Sequence, residues 1–460
     1  MRQKQPLRIG PNSILAVLAL SGTSFSLLQS RVAPAIPELQ EKLGSSASGI
    51  AWVLTAFLLT SSVATPIVSR FGDMFGKRSV LLGVLGLLWA GTLVCALANT
   101  LWVLIIGRVI QGAGGAVIPL SMGIIRDELP AKRIAPGIGL MSSILGIGGG
   151  LGIVLAGPLV DSLDVHWLFW MPLLTLGAAF IATWAMVPES PVRSPGRVNW
   201  RAALLLSLGL GGLLLAVSEG QNWGWGSMRF WGLIAASAAM LAFWVRTELR
   251  SPEPLVDMSV MRLRGVWTTN LASLLIGYGM FSSFLLIPNL TQAPTSTGFG
   301  LGASVTQAGL YMLPIALVMS IAGPLSGQLD ERFGSKLSMI MGAASTTGAF
   351  VLIAFLHAQT WQFLIFSVLL GIGIGMAFAA MGNLIVAAVP QRQTSVATGM
   401  NSIVRYVGGS LGSQIAASII AFYTLQRFAM RLNHNIVCHT SRGAEGLLGK
   451  KHASTVGVAQ

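Results

Sequence analysis

The sequence predicts an all-α integral membrane protein: two like-oriented helical bundles joined by an inserted pair of helices. A lipid-compatible composition, a series of thirteen apolar segments and a long internal repeat carry that expectation. Of 460 residues, 53% are apolar and 10% charged, and mean hydropathy is +0.73. A soluble domain of this size has no use for so much apolar surface. The formal charge of +14 is dispersed among apolar runs, which suits membrane anchoring rather than nucleic-acid binding. Two cysteines, Cys95 and Cys438, and five histidines without a His-x3-His pair predict neither a disulfide framework nor a metal site. No segment offers paired carboxylates or a His/Asp/Glu cluster at membrane depth, so neither an enzyme nor a cofactor is expected.

Membrane spans need roughly 17 to 25 dominantly apolar residues. Such runs fall at about 13–32, 48–68, 79–98, 101–125, 136–160, 166–187, 202–217, 230–245, 266–290, 304–324, 337–356, 361–388 and 395–423. The first follows Arg2, Lys4 and Arg8 but lacks a convincing small-x-small cleavage site, so it reads as an uncleaved span. Lys and Arg then set the orientation. With the N-terminus inside, the inner loops hold 19 of them and the outer loops only Arg31, Lys42 and Arg229. A multi-pass plasma-membrane protein with a cytoplasmic N-terminus is predicted.

The repeat orders these segments. Ser69-Arg-Phe-Gly-Asp-Met-Phe-Gly-Lys-Arg78 returns as Gly327-Gln-Leu-Asp-Glu-Arg-Phe-Gly-Ser-Lys336, with Phe75 and Phe333 258 residues apart. Both copies are predicted as short polar loops. A second echo sets Pro130, Gly139, Ser142, Gly149 and Gly152 against Pro390, Gly399, Ser402, Gly409 and Gly412, 260 residues apart. Eight segments separate the two loops, and an even shift preserves orientation. The halves are therefore parallel repeats about an axis along the membrane normal. Six helices per half leave segments seven and eight as an insert. The expected domains are a six-helix bundle (13–188), a linker with two inserted helices (189–265), a five-helix bundle (266–423) and a polar tail (424–460). The partner of segment six would fall near 426–447, which is too polar to span, so a last helix is expected to be missing or replaced.

On these motifs, residues 13–423 resemble the major facilitator superfamily, specifically its fourteen-helix drug/proton antiporter branch. Loop 69–78 is similar to the family's Gly-x-Leu-Ala-Asp-Arg-x-Gly-Arg-Lys motif: Asp73, Gly76, Lys77 and Arg78 match, while Ser69 and Met74 depart. Arg332, Gly334 and Lys336 belong to the second copy. Arg108-Val-Ile-Gln111-Gly112 resembles the Arg-x-x-Gln-Gly motif of the fourth helix. Gly148, Gly152 and Gly157 match the antiporter signature of the fifth helix, where Ile153 replaces a proline and Ala156 a glycine. The resemblance implies the major facilitator fold, a motif loop that latches the halves and gates their rocking, and a part for Arg108 and Gln111 in proton coupling.

The same residues have physical readings. Asp73 at the start of the third segment suits a helix N-terminus. Gly76 allows close backbone approach, and Lys77 and Arg78 would face anionic lipid heads; simple topological anchoring is the other reading. Arg108 within an apolar run costs at least ~2.5 kcal/mol on insertion scales, so it faces a cavity or partner, or else snorkels to the outer interface. Gly148 and Gly152, four apart, let helices approach backbone to backbone. All fifteen acids lie in loops or at helix ends, and Phe25 stands where the branch commonly has an aspartate. The proton carrier is thus unassigned, with Asp161 the nearest substitute. Arg405 either attracts anionic substrate or reaches the cytoplasmic edge. Asn270 and Gln414 border the expected cavity, for substrate contact or for interhelical hydrogen bonds.

The expected function is secondary active transport: export of amphipathic, cationic or neutral small molecules against inward proton flow. The expected partners are the small-molecule substrate, protons and the lipid bilayer. Two rivals remain open, a proton-independent facilitator or importer on the same fold, and an inactive truncated transporter.

Overall fold

The computed structural model describes residues 10–32, 35–45, 47–194, 198–293, 295, 300–356, 359–416 and 418–419; the predicted tail, 424–460, lies outside them. The described residues form helices and no strands. The first bundle contains α1 (Pro11–Arg31), a short α2 (Ile36–Lys42), α3 (Ala47–Phe75), α4 (Lys77–Ala96), α5 (Leu101–Gln111), α6 (Val117–Glu128), α7 (Ala131–Ser162) and α8 (Trp167–Met186). A 3-10 turn at Gly112–Ala116 joins α5 and α6 into one crossing. The insert is α9 (Trp200–Trp223) with α10 (Met228–Arg250), followed by a short α11 (Met258–Met261). The second bundle contains α12 (Arg264–Gln292), α13 (Val305–Phe333), α14 (Ser335–Phe355), α15 (Thr360–Ala388) and a last helix, α16, over 394–416. Twelve of these crossings are long and apolar enough to span a bilayer, and α16 is of comparable length. Each predicted segment falls on one of them; the end of the last, 420–423, lies outside the described residues.

Successive crossings alternate. The face from which α1 starts, here the basic face, therefore also holds the α3–α4 and α13–α14 turns. Both Phe-Gly repeats lie on that face, as parallel repeats require. They are not loops. α3 runs through the first motif to Phe75 and α13 through the second to Phe333, leaving one-residue turns at Gly76 (φ 118°) and Gly334 (φ 80°). Positive φ is open to glycine at little cost, and that is what removes the need for a longer connection.

Equivalent contacts recur in the two halves. A side chain at Gly91 of α4 would lie 2.9 Å from the Gly107 carbonyl of α5, and one at Gly342 of α14 would lie 2.8 Å from the Gly373 carbonyl of α15. Gly342→Leu is thus expected to overpack this contact and lose about 1–3 kcal/mol, read as a lower unfolding temperature in detergent. α9 and α10 pair with each other and cover one seam between the bundles. Ala202, Leu206 and Trp244 share an apolar cluster with Val396, Met400 and Ile403 of α16, while Ser218 of α9 meets Thr55 of α3 at 3.3 Å.

Candidate functional site

The first site is a polar lock between the bundles on the basic face. A helix start exposes amide N–H groups and carries a partial positive charge. At the start of α16 the Val396 N–H donates to Asp73 Oδ2 at 3.1 Å, so a fully buried carboxylate of α3 caps a helix of the other bundle. Lys77 Nζ lies 2.7 Å from Asp127 Oδ2 and 3.6 Å from Asp73 Oδ1, and all three side chains are buried. Arg126 donates to Thr394 Oγ1 (2.7 Å) and to the Val389 carbonyl (2.9 Å). Gln391 Nε2 donates to Asp127 Oδ1 at 3.0 Å. Ionised partners make such bonds stronger than neutral pairs.

Several expectations change here. Asp73 does not cap the helix that follows it. Glu189 does so, accepting from the N–H groups of Arg78 (3.1 Å) and Ser79 (3.0 Å). Lys77 does not face lipid heads, since its ammonium is consumed by two buried carboxylates. Arg78 donates to the Trp184 carbonyl at 2.6 Å.

The second copy makes no mirror lock. Arg332, Gly334 and Lys336 are exposed, as is Glu331, which the 258-residue offset sets against Asp73. Asp330 instead accepts from Asn383 Nδ2 (2.8 Å) and from the Ser338 hydroxyl, inside its own bundle. The 260-residue offset sets Pro136 of α7 against Val396, and proline has no N–H to give. The lock is one-sided.

Arg108 is fully buried within the first bundle and does not snorkel. Its Nε donates to the Val53 carbonyl (3.0 Å) and Nη1 to Gln111 Oε1 (2.8 Å), while Gln111 Nε2 reaches Thr92 Oγ1 (3.0 Å). The guanidinium carbon sits 4.2 Å from the Phe57 ring centre, and Phe25 stands beside that ring at 6.3 Å. Aromatic faces attract a desolvated guanidinium. Here Phe57 faces the charge and Phe25, at the position where the branch commonly has an aspartate, packs behind it. Arg108 and Gln111 are brought together; Asp161 and Gly157 belong to α7, but their side chains lie outside the described residues.

Gly148 and Gly152 face Ser26, Leu27 and Ser30 of α1, within one bundle. Their repeat partners do likewise: Gly408 and Gly412 of α16 face Leu274 and Tyr278 of α12. The contact between bundles uses other small residues of α7. Gly139 and Ser143 meet Gly323 of α13, Gly146 meets Met319, and Gly150 meets Ala316.

The second site is a gap where α6, α7, α15 and α16 converge, with room for little more than a water molecule. Ile118, Met122, Ser142, Phe378, Asn401 and Arg405 are among its lining residues. Arg405 is 7% exposed; its guanidinium carbon lies 4.6 Å from the Phe378 ring centre and Nη2 is 3.4 Å from Ser402 Oγ. Asn401 Nδ2 donates to Asn270 Oδ1 (2.9 Å) and Ser273 Oγ (2.6 Å). Arg405 and Asn270 are therefore joined through α16, whereas Gln414 lies further along that helix and does not line the gap. Asn401 and Ser142 were missed as site residues; the repeat had marked Ser142 and Ser402, but nothing had marked Asn401.

On the opposite face, the His166 N–H (2.8 Å) and Lys42 Nζ (2.5 Å) hold the Asp164 carboxyl well below the usual carboxylate range. This pair ties α2 to the α7–α8 turn.

Two helical bundles related as parallel repeats, locked on one face around a small polar gap, define a multi-pass membrane protein of the two-bundle carrier class. The particular family follows from comparison: the Major Facilitator Superfamily model matches residues 14–413, and the chain belongs to that family. Its members are carriers, not enzymes. The chain is similar to the multidrug transporter protein MdtP of Bacillus subtilis (strain 168), at 28% identity over 85% of this chain and 71% of the relative. It is also similar to a uridine/deoxyuridine transporter of Lactococcus lactis subsp. cremoris (strain MG1363), at 29% identity over 87% of this chain and 85% of the relative. Among solved structures, the human organic anion transporter MFSD10 superposes with a TM-score of 0.64 at 18% identity, covering 90% of this chain and 94% of its own. That likeness concerns the fold alone.

Proposed function

We propose that the protein is a secondary active transporter of the plasma membrane, exporting small amphipathic molecules by alternating access in exchange for protons, with the basic face in the cytoplasm. The observation that carries this reading is the one-sided lock. Asp73, Arg126 and Asp127 hold the second bundle by hydrogen bonds with Val396, Thr394, Val389 and Gln391 that must break before the basic face can open. A seam of small residues along α7 and α13 supports rocking without side-chain interdigitation. The relative named as a multidrug transporter favours drug-like cargo; the one named for uridine and deoxyuridine shows that relatives differ in substrate.

A second reading, proton-independent facilitation, is favoured by the lining of the gap, where no acidic residue occurs among the described residues. Everted membrane vesicles with an acid lumen separate the two. Antiport requires amphipathic dye uptake that collapses when the pH gradient is dissipated. Uptake that persists unchanged without the gradient removes antiport and leaves facilitation.

A further inference from the structure

Among the described residues, the lining of the gap sets no carboxylate against its buried cation. Arg405 projects from α16 toward the Phe378 and Tyr406 rings and the Ser402 hydroxyl, none of which carries an anionic charge at neutral pH. The buried acids among the described residues are already matched elsewhere: Asp73 by Val396 and Lys77, Asp127 by Lys77 and Gln391, Asp330 by Asn383 and Ser338, and Glu248 by Trp244, Leu255 and Val256. A guanidinium taken out of water ordinarily has an anion as its partner, because aromatic and hydroxyl contacts only partly replace its hydration. Asn401 lies four residues before Arg405, on the same face of α16, and brings further polar capacity. Ile118, Met122 and Phe378 make the remaining wall apolar.

We infer that this gap, once the bundles rock apart, is a binding site for an amphipathic organic anion whose carboxylate, sulfonate or phosphate is held by Arg405 and whose apolar body lies against Phe378 and Met122. The inference rests on the transporter reading above and narrows its cargo. It also reverses the expectation of a cationic or neutral substrate, since a cation placed here would face Arg405 without a compensating carboxylate among the described lining.

The test uses two dyes of similar shape and opposite charge, fluorescein and rhodamine 123, on the purified full-length chain and on everted vesicles. Fluorescein binding, followed by fluorescence polarisation, is expected to weaken about tenfold or more in Arg405→Gln. In Arg405→Lys, which keeps the charge but loses the planar fork and the stack on Phe378, it is expected to weaken less than in Arg405→Gln. Rhodamine 123 binding should not weaken in either variant. Equal fluorescein binding by wild type and Arg405→Gln overturns the site. So does equal loss in both variants, because charge then does not matter, and so does absence of fluorescein binding altogether. Vesicle uptake of rhodamine 123 with no fluorescein uptake overturns the anion site while leaving a transporter. Fluorescein bound through Arg405, with neither dye accumulated, supports the site and overturns the transporter reading.

Discussion

Asp73→Asn is expected to unlock the basic face. The amide keeps the size of the side chain but gives Val396 N–H a weaker acceptor and leaves the buried Lys77 ammonium with Asp127 as its remaining carboxylate. The ion pair with Lys77 lies within the first bundle, so the bias on closure comes from the Val396 bond, and a hydrogen bond to a charged group is worth about 1.5–3 kcal/mol. Where most of that loss falls on one of two conformations, it shifts their ratio on the order of tenfold or more. Thr398 lies one turn inside α16 from the lock and is 4% exposed. With Cys95 and Cys438 changed to Ser, a cysteine at position 398 should react at least tenfold faster with an impermeant maleimide from the basic side in Asp73→Asn. Glu331→Gln, the same change at the exposed position of the second copy, should leave the rate unaltered. Equal rates for Asp73→Asn and its parent would mean that the lock holds nothing shut.

Gly323→Leu should stop transport without unfolding either bundle. A side chain at Gly323 would collide with Ser143 Oγ and come within 2.7 Å of the Gly139 carbonyl, both on the other bundle. Overpacking costs about 1–3 kcal/mol, and here the strain falls on the contact along which the bundles must slide. Dye uptake in vesicles is expected to fall below about a tenth of wild type at similar yield of monodisperse protein. Gly149→Leu is the control: nothing lies within 4 Å of the site where its side chain would begin, so uptake and yield should be unchanged. Equal loss in both variants would mean that leucine anywhere on α7 is damaging, and the seam would lose its special place.

What the sequence made legible was local or periodic. Apolar runs mark each crossing, and the Phe-Gly repeat required the two turns to share a face. The helical continuation of α3 to Phe75 was not legible. Polar residues in a short interval read as loop, while the helix is terminated by Gly76 alone and the next is capped by Glu189, more than a hundred residues away. The partner of Asp73 was equally hidden, because Val396 contributes only its backbone N–H and composition is blind to backbone donors. The absence of a mirror lock was readable in principle: the repeat offset puts Pro136 opposite Val396, and proline cannot donate. Spacing identified Gly148 and Gly152 as a close-contact face but could not say which helix lay against it. Arg108 announced a buried charge, yet not that Phe57 and Gln111 would satisfy it. Asn401 gave no signal, being one polar residue among several on α16.

In the proposed transport cycle the two bundles exchange closure between faces. Double electron–electron resonance on spin-labelled pairs measures this directly, with Lys132 and Arg392 reporting the basic face and Leu163 and Ser304 the opposite one. Reciprocal change is expected when transported dye is added under a pH gradient: a longer-distance population grows for the first pair while the second pair shortens. Two distributions that stay fixed, or that lengthen together, would contradict it.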